Sequence, residues 1–140
     1  MESWRKVAID LLPEKKDEIL NDSLVFSPYS LFVSVKVFWE EAVRNGDKEF
    51  GERIIKLVEW FLDNKEDGDL YNALCTSFLE HIPDDDIGLY FAEEMFPEHV
   101  YLLAIECSAY LRRNQKGWQA FLEDSISRYN ELHGLDISIN

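Results

Sequence analysis

Apolar side chains recur at helical spacing along almost the whole chain, and this periodicity constrains the fold more than any other feature. The clearest segment carries its apolar residues on one helical face, at Leu31, Phe32, Val35, Phe38, Trp39 and Ala42. Ser27 and Pro28 come just before it, which is typical of an N-cap followed by the first helical position. Gly46 and Asp47 then indicate the end of this helix and, after a very short turn, the start of the next.

The same spacing predicts helices in most of the remaining sequence. Two short helices are expected within residues 1–22, longer ones over residues 70–82 and 98–113, and an amphipathic final helix that begins near Trp118. Helices joined by short turns pack antiparallel to their neighbours. We therefore predict an all-α fold, a single-domain irregular bundle of about six to seven antiparallel helices over residues 1–140. Residues 135–140 are predicted to be a short extended segment or a frayed tail.

Length and composition agree with one globular domain. The chain has 140 residues, of which 46% are hydrophobic, which is too apolar for a disordered chain and enough for a core. Its longest apolar run, residues 100–105, is too short for a secretory signal or a membrane span. Cys75 and Cys107 lie in apolar helical patterns and are expected to be reduced thiols. These features favour a cytoplasmic protein that does not bind membranes.

Acidic residues are concentrated in one stretch, residues 66–111. This stretch contains eleven of the 28 acidic residues and none of the 14 lysines and arginines. A field of this sign, in a chain with a net charge of -14, repels nucleic acid and anionic membranes. It favours a basic protein as the partner.

Within the acidic stretch, carboxylates alternate with aromatic side chains directly after Pro83. We predict a partner-binding surface at Glu80, His81, Asp84, Asp85, Asp86, Tyr90, Phe91, Glu93 and Glu94. Its acids would steer a basic partner, while Tyr90, Phe91 or Phe96, if exposed, would anchor it. The alternative is that residues 84–86 cap the following helix and that the aromatic side chains pack inward.

Motifs for metal binding and catalysis are missing from the sequence. The offset of Gly88 from Asp84 does not fit a calcium loop, and Glu-x-x-His pairs are absent. We therefore expect no metal, no cofactor and no enzymatic activity. One alternative keeps a metal-assisted or general-base enzyme, in which residues 84–86 or a partly buried Glu106 form the site. Another is a helical scaffold or adaptor with no catalytic role.

One helix of the sequence resembles a known group of proteins. Residues 70–74, Leu-Tyr-Asn-Ala-Leu, and residues 77–81, Ser-Phe-Leu-Glu-His, are similar to the central helix of a family of small bacterial all-helical domains of unknown function. That family resembles the immunity proteins of bacterial toxin systems, and the similarity extends over residues 4–96. The resemblance implies a bacterial cytoplasmic protein that binds and blocks one partner. It also implies a functional surface at Phe78, Glu80 and His81, although Phe78 in the core, with Glu80 and His81 ending the helix, fits equally well.

These observations favour an acidic protein-binding module. Its most specific form is an immunity-type inhibitor that occupies the basic cleft of a toxin.

Overall fold

The computed structural model describes residues 1–138, and in this part of the chain all regular secondary structure is helical, without a strand. Its α-helices are α1 (Ser3–Leu11), α2 (Lys16–Leu20), α3 (Pro28–Asn45), α4 (Lys48–Asp63), α5 (Gly68–Ser77), α6 (Asp86–Met95), α7 (Glu98–Leu111) and α8 (Trp118–His133). Two 3-10 helices occupy Pro13–Lys15 and Leu79–Asp84. The all-α prediction is confirmed. Within the described residues, each helix is too short or too polar to cross a membrane.

The predicted helix count was wrong, because the described residues form eight α-helices. The acidic segment after Pro83 leads into one of them, α6, as expected in the alternative in which residues 84–86 cap a following helix. The helix predicted over residues 70–82 is two elements, since the backbone of Phe78 leaves the helical region (φ −131°, ψ −67°) and a 3-10 helix follows. The antiparallel arrangement stays a prediction.

The helices cluster into two compact units, an N-terminal unit, Met1–Phe78, and a C-terminal unit, Leu79–Asn140. This division describes how the helices pack, and the predicted single domain over residues 1–140 stays a prediction. The core of the N-terminal unit is aromatic. The ring of Phe32 lies 4.6 Å from that of Phe61 in an edge-on contact, and Phe78 lies 5.7 Å from Phe32 and 6.2 Å from Trp39. Phe78 is therefore a core residue, as one of the two interpretations expected.

The ends of the longest helix of the N-terminal unit are built as its sequence predicts. The Ser27 hydroxyl accepts a hydrogen bond from the Ser30 amide at 3.2 Å, and Pro28 is the first residue of α3. Gly46 ends the helix in the left-handed region at φ 60°, which favours glycine. Asp47 then caps α4 by accepting from the amide of Phe50 at 3.1 Å.

The C-terminal unit packs α6, α7 and α8 with the 3-10 helix Leu79–Asp84. Its core contains Leu79, Leu89, Val100, Tyr101, Ile105 and Tyr129. After α8, Gly134 turns the chain at φ 65°, and residues 135–138 have no regular secondary structure. The side chain of Asn130 nevertheless holds this segment, since it donates to the main-chain oxygen of Ile137 at 3.0 Å and accepts from its amide at 2.9 Å. The rest of the predicted tail, residues 139–140, lies outside the described residues.

Candidate functional site

Asp85 starts α6 and thereby positions the predicted surface. Its carboxylate accepts a hydrogen bond from the amide of Ile87 at 2.8 Å, which satisfies one of the free amides at the helix start. Asp86 lies in the first turn, where a negative charge interacts favourably with the helix dipole. Capping, which was the alternative role for residues 84–86, is therefore one role of this acidic run. All three side chains are nevertheless exposed.

The 3-10 helix before α6 is joined to α7 through Asp84 and Glu80. One carboxylate oxygen of Asp84 accepts from Arg112 at 3.0 Å, and the other lies 3.1 Å from Nδ1 of His81. Nε2 of His81 is 3.5 Å from the Glu80 carboxylate. The hydroxyl of Ser108 donates to the main-chain oxygen of Glu80 at 3.0 Å. Glu80 and His81, both half-buried, are thus held in a fixed cluster with Asp84.

Glu93 corrects one expectation about this surface. It was expected to steer a partner, but it is only 4% exposed and is enclosed by the unit's own side chains. The hydroxyl of Tyr101 donates to its carboxylate at 2.8 Å, and Arg128 donates to it from Nε and Nη2, each at 3.1 Å. His133 donates from Nε2 to its main-chain oxygen at 2.6 Å. A buried carboxylate needs such partners to compensate for its lost hydration. Glu93 is therefore part of a buried polar network and not of the partner-binding surface.

This buried network raises the pKa of two of its members, Tyr101 and Arg128. Burial, followed by the hydrogen bond to Glu93, raises the pKa of Tyr101 well above its usual value. The hydrogen bonds to Glu93 also raise the pKa of Arg128. A raised pKa means that the protonated form is favoured, so Tyr101 stays neutral and Arg128 stays charged.

One face of α6 remains accessible and combines apolar and acidic groups. Ile87 and Tyr90 are 66% and 52% exposed, Phe91 is half-buried and Glu94 is exposed. These four residues are three or four positions apart and so share one side of the helix, which we call the α6 face. The guanidinium of Arg128 lies 5.4 Å from the centre of the Tyr90 ring, within the range of a cation–π contact.

Two residues change the predicted set of anchors. Phe96 is 1% exposed and cannot anchor a partner. Ile87, which the sequence interpretation left out, is the most exposed large apolar side chain of α6. Its spacing from Tyr90 and Phe91 would have identified it once residues 86–95 were recognised as a helix.

Glu106, the residue of the enzyme alternative, is exposed, and is therefore not partly buried as that alternative required. It lines a cavity of about 420 Å³ in the C-terminal unit, with mainly apolar side chains around it. Within residues 1–138, it makes no hydrogen bond or ion pair. The same part of the chain has no group of three His, Cys, Asp or Glu side chains placed to hold a metal ion. The enzyme and scaffold alternatives stay predictions.

The chain matches a family of known proteins over most of its length. A family described as "Domain of unknown function (DUF7674)" matches residues 6–112. The matched region crosses the boundary between the two units and ends just after α7, so it includes α6 and leaves out α8. No curated protein and no solved structure matches the chain significantly.

Proposed function

The chain belongs to the DUF7674 family, a domain of unknown function, and from this premise we propose that it is an acidic protein-binding module. It binds a basic protein through the α6 face and the carboxylates at the start of α6. Its sharpest form is an immunity-type inhibitor in a bacterial cytoplasm, which blocks a toxin by covering a basic cleft. The observation that carries the proposal is the pair of exposed apolar side chains, Ile87 and Tyr90, between exposed carboxylates on a single helix.

The charge of the C-terminal unit supports a basic partner. Residues 79–140 contain twelve acidic and four basic residues. Arg112 and Arg128 are already bound to Asp84 and Glu93, and the guanidinium of Arg113 stacks on the ring of Tyr110 at 4.0 Å. Two of the three exposed carboxylates at the start of α6, those of Asp85 and Asp86, make no ion pair within residues 1–138. Such a surface accelerates association with a basic partner by electrostatic steering.

The rigidity of the α6 face supports specific binding. The Asp85 cap fixes the start of the helix, and the guanidinium of Arg128 contacts the ring of Tyr90. Anchors that are already ordered lose less conformational entropy when a partner binds. Aromatic anchors within a rim of charged groups are the usual arrangement of strongly contributing interface residues.

The anchor role can be tested by affinity capture at low salt from a lysate of the source organism. We expect a basic protein to bind the wild-type chain and to be lost from Ile87→Ser, because this change removes an exposed apolar contact and leaves the core intact. Leu132→Ser is the matched control, since Leu132 is an exposed leucine on α8 of the same unit. If both variants retain the same proteins as the wild type, the α6 face is not the binding surface.

The steering role can be tested with the captured partner by stopped-flow kinetics. Asp86→Asn combined with Glu94→Gln removes two charges and keeps the Asp85 cap and the Asp84–Arg112 ion pair. We expect the association rate to fall by about tenfold at low salt and to depend less on salt, with a smaller change in dissociation. Glu98→Gln combined with Glu131→Gln removes the same charge from other exposed positions of the unit. Equal effects of the two double variants would contradict a local steering surface.

A further inference from the structure

The cavity beside Glu106 has the size and lining of a small-molecule site. Its volume of about 420 Å³ lies within the range of about 300–1,000 Å³ usual for ligand sites. Helix α7 contributes Leu102, Ile105 and Ala109 to its wall, α8 contributes Leu122 and Ile126, and the C-terminal segment contributes Ile137. Contact with these apolar side chains favours the hydrocarbon part of a ligand.

The C-terminal segment, which forms the third wall of the cavity, is held in place by hydrogen bonds to α8. The amide group of Asn130 makes with Ile137 the two hydrogen bonds that a neighbouring strand would make. The amide of Leu135 also donates to the main-chain oxygen of Asn130 at 2.9 Å, directly after the turn at Gly134. These bonds hold Ile137 against the cavity, so the site is formed before any ligand arrives.

Among residues 1–138, Glu106 is the single charged side chain that lines the cavity, and its carboxylate makes no hydrogen bond or ion pair with this part of the chain. The nearest arginines along the chain are already engaged, since Arg112 binds Asp84 and Arg113 stacks on Tyr110. An unpaired carboxylate at the edge of an apolar cavity complements a cationic group attached to an apolar body. A carboxylate or phosphate ligand would instead be repelled.

We propose that this cavity binds a small amphiphilic amine, whose ammonium group pairs with Glu106 and whose hydrocarbon part lies between α7, α8 and the C-terminal segment. This site is separate from the α6 face, and it does not depend on the proposed protein-binding function.

The first experiment titrates the wild-type chain with hexylamine, 1-hexanol and hexanoate, three probes with the same hydrocarbon part. NMR spectra of protein labelled at the isoleucine δ1 methyl groups report on the cavity directly, because Ile105, Ile126 and Ile137 line it. We expect these three resonances to shift with hexylamine, less with hexanol and least with hexanoate. Ile19 and Ile54 are buried in the N-terminal unit and serve as internal controls. No selective shift of the three methyl groups by hexylamine would overturn the proposal.

Two variants then distinguish the contribution of the Glu106 charge to binding from that of the apolar cavity. Glu106→Gln should weaken hexylamine binding about three- to fivefold, as expected for a partly solvated ion pair, and leave hexanol binding unchanged. Glu98→Gln, an equal change on the same helix, should alter neither. Ala109→Phe fills the cavity and should abolish the binding of both probes, with circular dichroism used to verify the fold. Hexylamine binding that is unchanged in Glu106→Gln, or that persists in a folded Ala109→Phe variant, would contradict the assignment.

Discussion

At the residue scale, Glu93 shows how a charge can be part of the core. Its side chain on α6 accepts hydrogen bonds from Tyr101 on α7 and from Arg128 on α8, so one carboxylate connects three helices. Its acidic character was visible in the sequence, but its burial was not. Arg128 is 35 residues away and Arg112 is 28 residues from Asp84, and pairings over such separations depend on the tertiary structure. The acidic stretch could therefore be predicted, whereas its counter-ions could not.

The buried tyrosines predict how stability depends on pH at the alkaline end. Burial raises the pKa of Tyr101 and of Tyr129 in the folded chain, while in the unfolded chain both tyrosines ionise at about pH 10. Above that pH the unfolded chain binds fewer protons than the folded one, so the free energy of unfolding falls as the pH rises. The limit is about 1.4 kcal/mol per pH unit for each tyrosine that ionises only when unfolded.

Urea unfolding between pH 8 and pH 11 measures this dependence. Tyr101→Phe should lower stability at pH 8, because a hydrogen bond is lost, and should also make the decline toward pH 11 less steep. Tyr110→Phe is the control, since Tyr110 is exposed. An equally steep decline in Tyr101→Phe and in the wild type would show that Tyr101 does not cause it.

At the element scale, the ends of helices could be predicted better than which segments form one continuous helix. The start of α3 at Ser27 and Pro28 and its end at Gly46 were predicted because caps are set by local chemistry. The break at Phe78 could not be predicted, since residues 70–82 keep helical periodicity and the ring of Phe78 is held by Phe32 and Trp39. Helix α6 was expected only in the alternative in which residues 84–86 cap a following helix, because its carboxylates and aromatic side chains were first interpreted as a partner-binding surface.

The Asp85 cap predicts the stability of α6. Asp85→Ala leaves the amide of Ile87 without its acceptor and should lower the free energy of unfolding by about 1 kcal/mol. Asp85→Asn keeps an oxygen acceptor, so we expect it to stay within about 0.5 kcal/mol of the wild type. Thermal or urea unfolding followed by circular dichroism measures both. Equal losses for the two variants would indicate that charge, and not capping, is the contribution of Asp85.

At the scale of the whole molecule, composition predicts the sign of the charge and the sequence shows where it is concentrated. Each unit is acidic on its own, with sixteen acidic and ten basic residues in residues 1–78 and twelve and four in residues 79–140. The family match ends before α8, so it does not account for Arg128 or for two of the three walls of the cavity, those formed by α8 and the C-terminal segment. These features depend on where α8 packs, which neither composition nor periodicity determines.

The net charge of -14 predicts that salt stabilises the folded chain. Like charges repel more strongly in the compact state than in the unfolded one, and ions screen this repulsion. We expect the melting temperature to rise by several degrees between about 10 and 200 mM sodium chloride, where the Debye length falls from about 30 Å to below 10 Å. Sucrose at equal osmolality is the control for a general solvent effect. A melting temperature that falls with salt would mean that the surface ion pairs outweigh the repulsion.

The carboxylate of Glu93 also has a consequence for how related sequences can diverge. Position 93 lies inside the region shared with the family, whereas its main cationic partner, Arg128, lies beyond the matched region. A homologue that lacks a cation at the equivalent of position 128 would bury an uncompensated negative charge if it kept the acid. The two positions should therefore be exchanged together during evolution, with a neutral residue at 93 wherever the last helix is absent or differently built.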